Sequence, residues 1–139
     1  CATREGTGNT EKKINSIIEN KGLQSRVKLV TDFLDDDVAI ATLAKCDLLV
    51  FPYQNTKESA SGAVRMGVAS GAPIAVSPIP IFDDVSGAIR MRGGSVDDIV
   101  ASISMLSEDE LNSSRKAIIE LRDSLQWDEV AKRIQERLK

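Results

Sequence analysis

The stretch "DLLVFPYQNTKESASGAVRMGVASGAPIAVS", residues 47–77, sets two apolar runs on either side of a segment rich in small side chains. The first run, "DLLVF", and the last, "PIAVS", lack a polar face, the pattern of strands buried on both sides. Between them, residues 59–70 are expected to form the crossover helix that joins two parallel strands. Gly71 would close that helix as a left-handed residue, and Pro73 would enter the next strand. The loop "PYQNTKE" and the helix start then fall at the carboxyl end of the sheet, the edge where open α/β sheets bind ligands.

Working outward, "NTEKKINSIIENKGLQ" starts at a capping residue, Asn9 or Thr10, sets Ile14, Ile17 and Ile18 at helical spacing, and stops at Gly22. "VKLVT", residues 27–31, reads as a strand, and "DDDVAIATLAKC" as a helix whose acids crowd its positive end. After "PIAVS" come a loop, "PIPIFDDVSG", and a short apolar piece, "AIRM". Ser95 caps a helix with apolar residues at 96, 99, 100, 103 and 106 on one face. "EDELNSSRKAIIELRDSL" and "WDEVAKRIQERL" are two further helices. This alternation predicts an α/β fold, a Rossmann-like, three-layer doubly wound parallel sheet with helices on both faces. Residues 27–31, 47–51 and 73–77 are its expected adjacent strands. Residues 1–139 are read as a single domain. Its first strand would precede Cys1 or be reduced to "CAT", so a fragment of a larger protein is expected.

A chain of 139 residues can bury a core without disulfides or a structural metal. The two cysteines, Cys1 and Cys46, have no Cys-x-x-Cys spacing, and Cys46 reads as a buried small hydrophobe. With no histidine, a Ser-His-Asp triad, a Cys-His dyad and the usual zinc catalysis are excluded from this chain alone. A net charge of -3, with Lys and Arg scattered among acids, argues against a nucleic-acid partner. No run is apolar enough to span a bilayer and none reads as a signal peptide, so a cytoplasmic location is expected. The acids of "DFLDDD" suit a helix start and Asp83–Asp84 a turn at the ligand edge, so no metal is expected.

Small residues at the start of the crossover helix would leave the amides of Ser59, Ala60, Ser61 and Gly62 open to an anion such as phosphate. Glu58 beside them cannot bind phosphate but can accept hydrogen bonds from hydroxyl groups. A ligand with both phosphates and hydroxyls would use both features. Read locally, the commonness of helix caps favours instead Glu58 as an acid placed by the helix dipole, with small residues for close packing on the sheet.

The span "DFLDDDVAIATLAKCDLLVFPYQNTKESASGAVRMGVASGAPIAVSPIPIFDDV", with the closing helix "LQWDEVAKRIQERL", resembles the C-terminal donor-binding domain of GT-B glycosyltransferases, particularly the large retaining family 4. The resemblance covers nearly the whole chain and rests on the order and spacing of its parts. It implies transfer of a sugar from a nucleotide-diphosphate sugar, without a metal cofactor. The acceptor, a glycan, lipid or small molecule, would be held by an N-terminal domain, without which this part should bind and not turn over. That family carries a Glu, seven residues and a second Glu. Glu58 matches the first, beside the donor sugar and the reacting centre, and Ser59 to Gly62 match the turn that meets sugar and diphosphate. The second, which holds the ribose, falls on Met66, two helical turns from Glu58 by count; a thioether is at best a weak acceptor. Phe33 and Leu34 map to the backbone that contacts the base, and the basic grip on the diphosphate would precede Cys1. Trp127 is expected in core or interdomain packing.

Two other readings stand beside this one. A non-catalytic relative that kept the fold as a binding module would account for Met66. A receiver-like signalling domain is similar in size, but it needs an Asp after the central strand, where this chain has Pro52 and Tyr53.

Overall fold

The computed structural model describes residues 4–54 and 60–138. Its contacts divide the chain into two compact units, Cys1–Leu34 and Asp35–Lys139.

The first unit contains helix α1, Arg4–Asn20, closed by Gly22 at φ 63°. The amides of Gly22 and Leu23 turn back to the carbonyls of Glu19 and Ile18, which satisfies the end of the helix as the C′ glycine predicts. The helix starts before the expected caps: Asn9 and Thr10 lie inside it. Differences in helix propensity of at most about 1 kcal/mol per residue do not stop a helix that continues on both sides. Residues 27–31 do not form the expected strand. The Val27 amide closes a turn onto the Leu23 carbonyl, and Val27 and Val30 are 42% and 53% exposed. Alternation alone does not make a strand; a ladder partner must be present to bury these side chains.

The second unit is mixed α/β. In chain order it has α2 (Asp36–Leu43), β1 (Leu49–Phe51), α3 (Gly62–Ser70), β2 (Ile74–Val76), a 3-10 turn (Pro80–Phe82), β3 (Ile89–Arg90), α4 (Val96–Ser104), α5 (Glu108–Ser124) and α6 (Trp127–Arg137). The three strands form one parallel sheet in the order β1-β2-β3. Leu49 pairs with Ile74 and Phe51 with Val76, so the apolar runs "DLLVF" and "PIAVS" are neighbours joined through α3. The third strand is the "AIRM" piece, in place of residues 27–31.

Phe82, Ile74, Ile118, Val64, Val76 and Val85 are fully buried and form the centre of the core with Leu49, Val68 and Ala72. Gly67 shows why α3 can lie on the sheet. A Cβ there would come within 3.2 Å of Ile74 Cδ1 and Phe51 Cζ and 3.3 Å of Leu49 Cδ1, tighter than ordinary contact. Helix α5 is fixed by Ser114, which is 4% exposed: its hydroxyl donates to the Gly87 carbonyl at 2.8 Å and accepts from the Ile74 amide at 3.4 Å. Gly87, at φ 87°, has no room for a side chain, because a Cβ would sit 2.4 Å from that of Ala117.

Exposure decides the roles of three groups of side chains singled out in the sequence. The apolar face of α4 is not buried: Val96, Val100 and Ile103 are 75%, 56% and 39% exposed, although Ser95 caps the helix as expected. Trp127 is 86% exposed, which removes the core alternative; packing against another domain stays an expectation. Cys46 is half-buried at the rim of the core. Amphipathic spacing fixes which residues share a helix face, and it does not say whether anything lies against that face.

Candidate functional site at the carboxyl edge of the sheet

Because the strands are parallel, the segments after β1, β2 and β3 leave from one edge, and α3 begins beside it. After β1 the Tyr53 ring packs edge-on against Phe82 at 5.3 Å and Phe51 at 6.3 Å. That packing aims its hydroxyl at Ser61 Oγ, 2.9 Å away. After β3, the Gly94 carbonyl accepts a hydrogen bond from Gln54 Nε2 at 3.1 Å, so the segments following the two outer strands meet across the end of the central one. Behind β2, Ser77 is 1% exposed and donates its amide to the Phe51 carbonyl at 3.2 Å, which makes it a floor and not a ligand group.

Helix α3 begins at Gly62, not at residue 59. Ser61 has extended backbone (φ -112°, ψ 117°) and is the N-cap: its Oγ accepts from the Val64 amide at 3.4 Å. A serine oxygen at this position satisfies one of the donors that every helix start leaves open, which explains why the chain turns helical here. Among the described residues, the amides of Gly62 and Ala63 remain without an acceptor, and both residues are exposed. The open amides at the described helix start are therefore those of Gly62 and Ala63; of the four expected, that of Ser61 belongs to the N-cap, and Ser59 lies outside the described residues. Ala60 is exposed and precedes the helix.

Glu58 and Ser59 lie outside the described residues. The expected count from Glu58 to Met66 therefore also lies outside them; α3 itself runs from Gly62. Met66 is half-buried, one turn into α3. Phe33 and Leu34 end the first unit, Phe33 97% exposed and Leu34 half-buried.

The turn after the 3-10 segment is held by two arginines. Arg65 of α3 forms an ion pair with Asp84. Arg90 of β3 donates to the Phe82 carbonyl at 2.7 Å and lies 3.7 Å from Asp83. Both pairs are substantially exposed and screened, so they orient the turn more than they stabilise it. The sequence predicts a turn at the two aspartates but not their arginine partners, which lie on separate elements. It also missed Tyr53 and Gln54 as the residues that organise the edge. Their one sequence signal was position, directly after a strand in a carboxyl-edge loop.

No helix of the described residues is long and apolar enough to cross a membrane. No family model, curated protein or solved structure matches the chain.

Proposed function

We propose that the chain is the donor-binding domain of a retaining GT-B glycosyltransferase, with the Rossmann-like, three-layer architecture of that fold, and that it takes a nucleotide-diphosphate sugar. The observation that supports this best is the parallel unit β1-α3-β2, which sets the unpaired amides of Gly62 and Ala63 at the carboxyl edge of the sheet. Two such donors with the helix dipole suit a diphosphate. In this reading the diphosphate lies against the start of α3 and, as the family resemblance implies, Glu58 accepts hydrogen bonds from the sugar hydroxyls. The protein's part in the chemistry is to orient the donor and stabilise the charge that develops on the leaving diphosphate. The acceptor belongs to another domain, and the chain by itself binds without turnover.

A second reading, a GT-B-like module that binds no donor, is favoured by Met66 where the family has a carboxylate.

Calorimetric titration with uridine, guanosine and adenosine diphosphates and their glucose conjugates separates the two. Saturable binding of one base series supports the donor site. Met66→Glu should then tighten that binding roughly tenfold or more, the equivalent of one charge-assisted hydrogen bond of about 1.5–3 kcal/mol. No binding across the series, in a chain with native circular dichroism, would leave the module reading.

A further inference from the structure

Strand β3 is the outer strand of the sheet, and among the described residues no strand lies beyond it. The Met91 amide donates to the Val76 carbonyl at 2.9 Å, and Arg90 stands opposite Val76 in the register. In a parallel ladder successive residues of a strand direct their backbone groups to opposite sides, so the N–H and C=O of Arg90 point away from β2.

Beside this edge lies a groove of about 620 Å³, with residues 87–90 as one wall and one face of α5, including Asp109, Ser113 and Ala117, as the other. The helix runs against the strand, with Ala117 over Gly87 and Glu110 near Arg90, so the groove follows β3 along its length. Past Ile89 and Glu110 it continues into a second cavity of about 220 Å³ lined by Met105 and Leu106 together with Ser102 and Arg92, whose guanidinium rests on Met105 Sδ at 2.9 Å. The helix wall is acidic. Asp109 is exposed and has no ion pair among the described residues, and Glu110, hydrogen-bonded to Ser107, keeps its charge. The cation on the other wall, Arg90, is drawn away toward the Phe82 carbonyl and Asp83.

We propose that this groove binds an extended segment of a partner protein, added to the sheet beside β3, with a basic side chain opposite Asp109 and Glu110 and an apolar one in the Met105–Leu106 cavity. The open backbone groups of Arg90 supply hydrogen bonds, small residues on the helix wall leave room for a main chain, and the unpaired acid selects for Lys or Arg. This site shares Arg90 with the turn at the carboxyl edge, uses neither Glu58 nor the start of α3, and does not depend on the glycosyltransferase reading.

The test titrates the isotope-labelled chain, followed by amide NMR shifts, with acetyl-TKVKVL-amide, its acidic counterpart acetyl-TEVEVL-amide, and a copy of the basic peptide with both valines N-methylated. The expected result is saturable binding of the basic peptide that moves the Arg90 and Ser113 amides. Affinity should fall on the order of tenfold or more for the other two peptides. It should fall similarly in Asp109→Asn, and be abolished in Ser113→Trp, which fills the groove from an exposed position; each variant is first checked for native circular dichroism. The proposal is overturned by no saturable binding, by equal binding of the acidic or methylated peptide, or by shifts mapping elsewhere. A dimer seen by sedimentation, with the Arg90 amide moving on dilution without peptide, would also overturn it by giving the edge to a second copy.

Discussion

The hydroxyl pair of Tyr53 and Ser61 ties the loop after β1 to the start of α3, and a double-mutant cycle measures it. Ser61→Ala removes both the acceptor for the Val64 amide, at 3.4 Å, and the partner of the Tyr53 hydroxyl, at 2.9 Å. The cap bond is long, so its loss is taken in the middle of the usual range, about 1 kcal/mol. The hydroxyl bond is short enough for a normal net value, also about 1 kcal/mol. The single change should therefore destabilise by about 2 kcal/mol. Tyr53→Phe keeps the ring against Phe51 and Phe82, loses only the shared bond, and should destabilise by about 1 kcal/mol. Once Ser61 is gone that bond no longer exists, so the double variant should stay near 2 kcal/mol, below the additive 3 by about 1 kcal/mol of coupling. Urea unfolding followed by far-UV circular dichroism at a common slope gives all four values. Additive losses, or a Tyr53→Phe protein as stable as the parent, would refute the claim that these hydroxyls organise the edge.

Two further outcomes follow from the packing and the caps. Gly87→Ala combines a left-handed backbone with a Cβ that would meet Ala117 at 2.4 Å, so it should destabilise by about 2–5 kcal/mol; an unchanged thermal midpoint would contradict the close approach of α5. Hydrogen bonds from the Ser107 amide and then the Ser107 hydroxyl hold the Glu110 carboxyl below the ordinary glutamate range. Its folded pKa is the lower one, so its stabilisation is present above the unfolded value and fades as pH falls through the folded one; in Glu110→Gln this part of the acid limb of the urea midpoint should flatten.

The parts of the fold legible in the sequence were those fixed by local rules. The apolar runs around β1 and β2 carry no polar face, Gly71 ends α3 at φ 73°, and Ser95 caps α4. What stayed hidden depended on partners distant in sequence. Residues 27–31 and 88–91 are both short apolar pieces, and only the second has β2 to pair with. Ser59 and Ser61 are equally good caps by type, and the choice of Ser61 is reinforced by the Tyr53 hydroxyl, eight residues away. For the candidate site, the sequence located the edge and the helix end. The aromatic residue that braces them and the bond from Gln54 to Gly94 come from strand order, which periodicity does not encode.

The bare Gly67 gives α3 no cushion against the sheet. The helix rests on Leu49, Phe51 and Ile74 at a spacing set by hydrogen atoms, so any side chain at this position works as a shim. A methyl group would push on all three neighbours at once, about 7.5 Å along the axis from Gly62 at 1.5 Å per residue. Lifting the middle of so short a rod tilts its end. Residue 67 is thus a remote adjuster of the open amides at Gly62 and Ala63: a change there would shift the start of α3 without altering a single group at the carboxyl edge.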